Sequence, residues 1–266
     1  MKENHHDVVR KQFSKQAPRF GEPGHTLSSP VYLEWMVNHL DLESHCVVLD
    51  VAAGTGHLSR AIAPHVKQVV ALDTTAEMLI EGRRQAEQDG IGNILFEQGL
   101  AEDLPYPNGT FDVVVSRFAI HHFEDPNLPI EEMARVCRPG GKVAVIDLVS
   151  PENEALAGTY NQLERMRDSS HTKAPSPSEL RRLVQGAGLD IGHTIFREIE
   201  VNVDRWLELT ETSPEIGRAI VEELAQELKG LKATGMRPFL RNKELMFLQT
   251  WVVVVSVKRG SIGMWS

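Results

Sequence analysis

One stretch decides the fold of this chain: Val48-Leu49-Asp50-Val51-Ala52-Ala53-Gly54-Thr55-Gly56. Its first residues are typical of a short apolar strand, and Gly54 and Gly56 then form a turn before a helical segment. Glycines at such a turn let the backbone approach a ligand closely, and the helix that follows supplies free N–H donors and positive potential. The stretch therefore predicts a nucleotide-type binding loop. A tight turn without a ligand is the alternative, because many strand-to-helix turns contain two glycines.

Short apolar segments alternate with helical segments around this loop. The sequence predicts strands at residues 46–50, 68–72, 94–96, 111–116 and 142–149, and helices at residues 57–63, 75–88 and 129–137. Such an alternation is typical of βαβ units around a parallel sheet that is buried on both faces. The right-handed crossover rule then fixes the direction in which the chain winds.

The pattern changes after Ser150. Two helices joined by a polar link are predicted within residues 153–187, followed by a strand at 191–201, a helix at 214–233 and a β-rich segment at Glu244–Lys258. We expect one domain over residues 1–266. Residues 1–44 and 150–187 are then helical covers over the carboxyl edge of the sheet, where ligands bind in open α/β folds.

Composition argues against several classes of partner. The 266 residues carry a net charge of -9 and no long run of lysine and arginine, so a nucleic-acid substrate is not expected. The longest apolar run, residues 251–255, is the length of a strand, and the N-terminus is polar. We therefore expect a cytoplasmic protein without a membrane segment. Cys46 and Cys137 are too few for a disulfide scaffold or an all-cysteine zinc site, so no metal is predicted.

Asp73 narrows the choice of ligand for the loop. It ends the second predicted strand, where a carboxylate can accept hydrogen bonds from a ribose diol, although capping of the next helix is the alternative role. A glycine loop with an acidic strand end fits a nicotinamide dinucleotide or S-adenosylmethionine. The dinucleotide pattern requires a further glycine three residues after Gly56, and this chain has Ser59 there.

Further motifs extend from the loop to Gly141. They are Val70-Ala71-Leu72-Asp73 with Glu77-Met78-Leu79, Gly99-Leu100-Ala101-Glu102-Asp103-Leu104-Pro105-Tyr106 with Phe111-Asp112, Ser116-Arg117-Phe118-Ala119-Ile120-His121-His122-Phe123, and Arg135-Val136-Cys137-Arg138-Pro139-Gly140-Gly141. Together with the loop they resemble the class I S-adenosylmethionine-dependent methyltransferases, in particular the type 11 group near the ubiquinone/menaquinone C-methyltransferases. Ala52, Leu100 and Cys137 depart from the residues usual in that group.

The resemblance implies a Rossmann-like, doubly wound sheet of seven mostly parallel strands, the last antiparallel, with S-adenosylmethionine as the cofactor. Ser116 is expected near the methionine part of the cofactor, and Phe13 and Phe20 are expected to close over it. Leu100 replaces the usual aspartate, which leaves the backbone N–H of Ala101 to reach the adenine. The implied cofactor residues are Phe20, Asp50, Ala52, Gly54, Gly56, Asp73, Thr74, Met78, Leu100, Ala101 and Ser116.

Methyl transfer to a hydroxyl or an acidic carbon requires a base, and imidazole accepts a proton near neutral pH. The candidate bases are His121, His122 and His171, each of which has a purely structural role as its alternative. Arg117 is predicted either to hold a carboxylate of cofactor or substrate, or to pair with Asp168.

The leading hypothesis is a C- or O-methyltransferase with a small-molecule acceptor. The motif of amino-group methyltransferases, Asn or Asp followed by two prolines and an aromatic residue, is absent after the fourth predicted strand, where Ser116-Arg117-Phe118-Ala119 stands. Trp35 and Trp206 are expected either to line an apolar pocket or to pack in the core. The competing hypotheses are a nicotinamide-dependent oxidoreductase and a non-catalytic module that binds S-adenosylmethionine.

Overall fold

The computed structural model describes residues 4–16 and 26–260. The strands are β1 (Val47–Val51), β2 (Gln68–Asp73), β3 (Ile94–Gln98), β4 (Phe111–Arg117), β5 (Cys137–Val149), β6 (Leu189–Asn202), β7 (Phe239–Arg241) and β8 (Glu244–Lys258). The α-helices are α1 (His5–Gln16), α2 (Pro30–Val37), α3 (His57–Ile62), α4 (Ala76–Gln88), α5 (Asn127–Val136), α6 (Glu154–Arg167), α7 (Pro177–Gly186), α8 (Val203–Leu209) and α9 (Pro214–Leu228).

The sheet confirms the predicted architecture. Its main path runs in the order β3-β2-β1-β4-β5-β8-β6. Strands β1 to β5 pair in parallel, whereas β8 lies antiparallel between β5 and β6. The strand order reverses between β1 and β4, and in open α/β sheets the ligand crevice lies at the carboxyl ends of the strands that flank such a switch point.

Two elements were not predicted from the sequence. The short strand β7 pairs only with β8, across a turn in which Asn242 and Lys243 have φ of 50° and 72°. Two successive residues of positive φ form the tight hairpin turn that matches the twist of paired strands, but three residues are too few to show alternation. The helix α8 follows β6 directly, and the side chain of Asn202 caps it by accepting from the Arg205 N–H at 3.1 Å.

Both faces of the central strands are buried, which explains their nearly continuous apolar composition. One face packs against α2, α3, α6 and α9, where Met36, Ile62 and Leu163 are buried. The opposite face packs against α5 and α7, where Met133 and Val184 are buried. Cys46 and Cys137 are both buried in this core, and both thiols are free. Helices thus cover both faces, with α6 and α7 of the segment 150–187 among them, and the carboxyl edge of the sheet is left for α1 and the link between α6 and α7.

Gly82 holds α4 close to the turn after β1. A Cβ on Gly82 would lie 2.7 Å from Cε1 of Phe96 and 2.8 Å from the backbone oxygen of Thr55, so a larger residue must push the two apart. We expect Gly82→Ala to lower the free energy of unfolding by about 1–3 kcal/mol, the usual cost of overpacking. Denaturant unfolding with Gly158→Ala as the matched control measures this effect.

Gly158 lies on α6, and a Cβ there would have no atom within 4 Å. Its replacement by alanine is expected to raise stability by about 0.5–1 kcal/mol, because alanine is the better helix former. Equal unfolding midpoints for the two variants would show that α4 is free to shift away from the turn.

Candidate functional site

The turn after β1, residues 52–56 (the glycine loop), winds through left-handed backbone. Ala52, Gly54 and Gly56 have φ of 56°, 56° and 70°. A Cβ on Gly54 would meet no atom within 4 Å, so this side of the loop faces open space. A Cβ on Gly56 would lie 3.1 Å from the Phe96 ring, so that glycine serves the packing of the turn at the start of α3.

Asp73 ties the end of β2 to the glycine loop. Its Oδ2 accepts from the N–H of Gly54 at 2.8 Å, and its Oδ1 accepts from the N–H of Thr75 at 2.8 Å. Burial raises the pKa of Asp73, and these backbone hydrogen bonds oppose that rise. The residue that caps α4 is Thr75, whose side chain makes no capping hydrogen bond. Asp73 is therefore more than a helix cap, because it fixes the loop and also borders the adjacent cavity.

A cavity of 590 Å³ extends from the glycine loop to the segment 150–187 (the lid). Seven of the predicted cofactor residues line it: Ala52, Gly54, Asp73, Thr74, Met78, Leu100 and Ala101. Asp50, Gly56 and Ser116 are not among the lining residues, and Phe20 lies outside the described residues. Phe13 of α1 does line the cavity, so α1 covers it as expected.

Asp50 and Ser116 are buried at the carboxyl ends of β1 and β4. The Oδ2 of Asp50 accepts from the hydroxyl of Ser59 at 2.6 Å, so the residue that replaces the dinucleotide glycine holds this carboxylate. Asp50 Oδ1 and Ser116 Oγ have no hydrogen-bond partner within residues 4–16 and 26–260. Burial raises the pKa of Asp50 to about 7, against the lowering effect of Ser59.

His121 and Asp147 form a buried pair at the cavity. The His121 Nδ1 donates to Asp147 Oδ1 at 2.5 Å, while the same carboxylate accepts from the N–H groups of Ile120 and Leu148. Burial lowers the pKa of His121, but the charge and hydrogen bond of Asp147 outweigh it, so the pKa lies above its ordinary value. His121 lines the cavity, and no described group hydrogen-bonds to its Nε2. This is the arrangement of an oriented base.

His122 joins the two covers of the cavity. Its Nδ1 donates to the backbone oxygen of Ser170 in the lid at 2.9 Å, and its own backbone oxygen accepts from His5 Nε2 of α1 at 2.7 Å. Burial, followed by the charge of His121, lowers the pKa of His122 to about 4. His122 is thus a neutral connector at neutral pH, although its ring also borders the cavity.

His171 lies behind the other two histidines. Its Nε2 donates to Asn161 Oδ1 at 2.8 Å, and the residue is not among those that line the cavity. Burial depresses its pKa further, with the charges of His121 and His122 adding to the effect. The structure therefore places His171 as a residue that connects the link after α6 to α6 itself.

Three aromatic side chains form another part of the cavity wall, the aromatic end. Phe118 and Trp251 contact each other at 4.6 Å between ring centroids, and Trp206 lies on the same cavity. Phe118 has φ of 54°, a strained conformation for a bulky residue that is found mainly at functional sites. Trp251 Nε1 donates to Gln249 Oε1 at 2.8 Å, which fixes the indole. Trp35 is not a lining residue and belongs to the packed layer near α2.

The predicted pair between Arg117 and Asp168 is wrong. Asp168 accepts from the Ser170 hydroxyl at 2.5 Å and has Arg167 at 4.0 Å. Arg167 also pairs with the fully buried Glu164 at 3.1 Å and lies 4.7 Å above the Trp206 ring. Asp168 thus sits in the lid directly after α6, where Ser170 and Arg167 are its partners.

No group of three or more histidine, cysteine or acidic side chains is placed to hold a metal ion within residues 4–16 and 26–260. No helix among these residues is long and apolar enough to cross a membrane.

Residues 48–141 match the family model described as a methyltransferase domain. An uncharacterized methyltransferase of Bacillus subtilis (strain 168), YcgJ, is 31% identical over 189 residues, which are 71% of this chain and 75% of the relative. The chain belongs to the class I S-adenosylmethionine-dependent methyltransferases. Its cofactor is S-adenosylmethionine, and membership of this family decides against a nicotinamide-dependent oxidoreductase.

Two further similarities agree with this assignment. The ubiquinone/menaquinone biosynthesis C-methyltransferase UbiE of Hahella chejuensis is 35% identical over 168 residues, which are 60% of this chain and 66% of the relative. The crystal structure of YcgJ from Bacillus subtilis has a TM-score of 0.79 at 28% identity and covers 89% of this chain and 100% of that chain.

The residues of the site fit this cofactor. Gly54 is open towards the cavity, and the carboxylate of Asp73 borders the same space. Polar atoms without partners remain on Asp50, Thr55 and Arg117, as a ligand with charged groups requires. The sequence interpretation missed Asp147, Phe118 and Gly82. A signal for Asp147 was present, because it is the one acid in the apolar segment from Val143 to Val149.

Proposed function

We propose that this methyltransferase acts on a small, largely apolar acceptor that binds among Phe118, Trp206 and Trp251, with His121 as general base. The observation that carries this proposal is the single cavity that joins the glycine loop, His121 and the three aromatic side chains. Its volume of 590 Å³ lies in the range of sites for small organic ligands.

The charges near the acceptor end support an uncharged acceptor. The charge of Arg167 is already balanced by Glu164 at 3.1 Å, and Asp168 adds a further negative charge. An acceptor with its own net charge would have to displace these partners. The net charge of -9 and the covers formed by α1 and the lid argue against a nucleic-acid acceptor. The name of the UbiE relative refers to the biosynthesis of ubiquinone and menaquinone, and it supports an organic acceptor rather than a nucleic acid.

S-adenosylmethionine supplies an electrophilic methyl group on a sulfonium. The protein then has to align the acceptor with that group, exclude water and remove one proton. The glycine loop, Asp73, Met78 and Ala101 would hold the cofactor, and the aromatic end would orient the acceptor. His121 Nε2 would take the proton from the acceptor hydroxyl or carbon, and Asp147 would stabilise the imidazolium that results.

Position separates His121 from the other two candidates. His122 borders the cavity, but its pKa is lowered to about 4 and Nδ1 is bound to the lid, so it is a poor proton acceptor. His171 is outside the cavity. His121 alone of the three combines a place on the cavity wall, a carboxylate partner and a raised pKa.

The experiment is a screen for release of S-adenosylhomocysteine with small phenols, quinols and carbon acids as acceptors. We expect saturable turnover with at least one of them. Trp206→Phe should then raise the KM for that acceptor by about 10-fold, the scale of lost apolar contact. Trp35→Phe, the same substitution outside the cavity, should leave the KM unchanged. Methylation of RNA or protein without turnover of any small acceptor would contradict the proposal. Cofactor binding without any turnover would favour a non-catalytic module.

A further inference from the structure

Arg117 is a cation in the cavity without a carboxylate partner. It ends β4, lines the cavity, and donates to the backbone oxygen of Leu27 at 2.5 Å. No carboxylate oxygen of a described residue lies within 4.0 Å of its guanidinium, and its Nε is buried without a hydrogen-bond partner. Arg167, another arginine on the cavity wall, pairs with Glu164 at 3.1 Å. An enclosed charge of this kind is costly unless a ligand pairs with it.

The nearest opposite charge is Asp50 on the neighbouring strand β1. The two strands pair in parallel with Asp50 opposite Val115, so Arg117 lies two residues beyond that register. Asp50 already accepts from Ser59 with Oδ2 and leaves Oδ1 without a partner in the described chain. Burial lowers the pKa of Arg117 to about 10, and the attraction of Asp50 opposes the effect without replacing an ion pair. The Asp50 carboxyl and the Arg117 guanidinium are therefore neighbours at the switch point without forming an ion pair.

Phe118 places Arg117 on the cofactor side of the cavity. The guanidinium lies 4.6 Å from the Phe118 ring centroid, and the same ring contacts Trp251 at 4.6 Å. The phenyl ring thus contacts Arg117 and, within the aromatic end, Trp251. On the other side, Arg117 neighbours Asp50 and the glycine loop that follows it. An anion that reaches Arg117 is therefore expected to belong to the cofactor.

We propose that Arg117 binds the α-carboxylate of the methionine part of S-adenosylmethionine. The planar fork of guanidinium donors suits the two oxygens of a carboxylate. This inference rests on the cofactor alone and is independent of the acceptor and of the base. It makes Arg117 a residue that recognises the amino-acid end of the cofactor.

The test is calorimetric binding of three ligands: S-adenosylhomocysteine, its α-methyl ester and 5′-methylthioadenosine, which lacks the amino-acid part. Wild-type protein is expected to bind S-adenosylhomocysteine about 10- to 100-fold more tightly than the ester, the scale of a charge-assisted hydrogen bond. Arg117→Met should lose this preference and bind 5′-methylthioadenosine within twofold of wild type. Arg117→Lys should recover part of the preference, because it restores charge without the fork.

Equal affinity of wild-type protein for S-adenosylhomocysteine and its ester would overturn the proposal, whether or not the variants fold. An equal loss of all three ligands in Arg117→Met, in a variant whose thermal unfolding matches wild type, would also overturn it, because Arg117 would then act only on the shape of the cavity. Unchanged binding of S-adenosylhomocysteine with a raised KM for the acceptor would assign the arginine to the acceptor instead. No acceptor is needed for the binding measurements, so failure of the screen for turnover leaves this test intact.

Discussion

Replacement of His121 by glutamine is expected to lower kcat by about 10²- to 10⁴-fold, the usual contribution of a general base. The affinity for S-adenosylhomocysteine should stay within about twofold, because the His121 ring hydrogen-bonds to Asp147 and to none of the predicted cofactor residues. Single-turnover measurements with saturating acceptor separate the chemical step from binding.

His193→Gln is the matched control for this variant. His193 lies on β6 and hydrogen-bonds to the backbone oxygen of His39 at 3.1 Å, away from the cavity. Wild-type kcat is expected for this control. If His121→Gln also kept wild-type kcat, methyl transfer would need no base at this position, and positioning alone would explain catalysis.

The pH profile gives a second readout of the same pair. The base works in its neutral form, so kcat/KM should rise with pH through the pKa of His121, which lies above 6.5. Asp147→Asn removes the charge that raises this pKa and leaves burial to lower it. The acidic limb of the profile should therefore move to lower pH in Asp147→Asn, while a purely structural role of Asp147 would lower activity without moving the limb.

Asp73→Ala is expected to weaken the binding of S-adenosylhomocysteine by about 1.5–3 kcal/mol, or roughly 10- to 100-fold. Two effects contribute, since the variant loses an acceptor for the ribose hydroxyls and also frees the N–H groups of Gly54 and Thr75. A cofactor analogue without the 2′-hydroxyl distinguishes them. Wild-type protein should discriminate against that analogue, and the variant should not.

Asp190→Ala provides the control, because Asp190 forms an exposed ion pair with Arg259 far from the cavity. Its effect on cofactor affinity should be within the error of the measurement. If Asp73→Ala lost the natural ligand and the 2′-deoxy analogue equally, Asp73 would act only by holding the glycine loop, and the ribose contact would have to be assigned elsewhere.

The sheet was predictable because its strands carry local signals. The apolar segments, the glycine loop and the break at Pro139 and Gly140 each depend on a few neighbouring residues, and the resemblance implied the antiparallel last strand. The hairpin of β7 was missed because its signal is a two-residue turn at Asn242 and Lys243. The helix α8 was missed because seven residues give barely two turns of periodicity.

The site was predictable in its residue types but not in its pairing. The sequence pointed to His121, His122 and His171 equally, because each is an imidazole near the carboxyl edge of the sheet. Only the structure shows that Asp147, 26 residues from His121, hydrogen-bonds to one of them, and this contact makes His121 the proposed base. Of the two alternatives for Arg117, only the pair with Asp168 is wrong, and no local pattern in the sequence distinguishes an unpaired arginine from one that pairs with the lid.

The backbone of His121 also contacts the lid. Its carbonyl oxygen accepts from the N–H groups of both Thr172 and Lys173, so the residue whose ring faces the cavity also fastens the lid. The segment that follows α6 and the proposed base are therefore linked through one carbonyl group, so a shift of Thr172 and Lys173 would also displace His121.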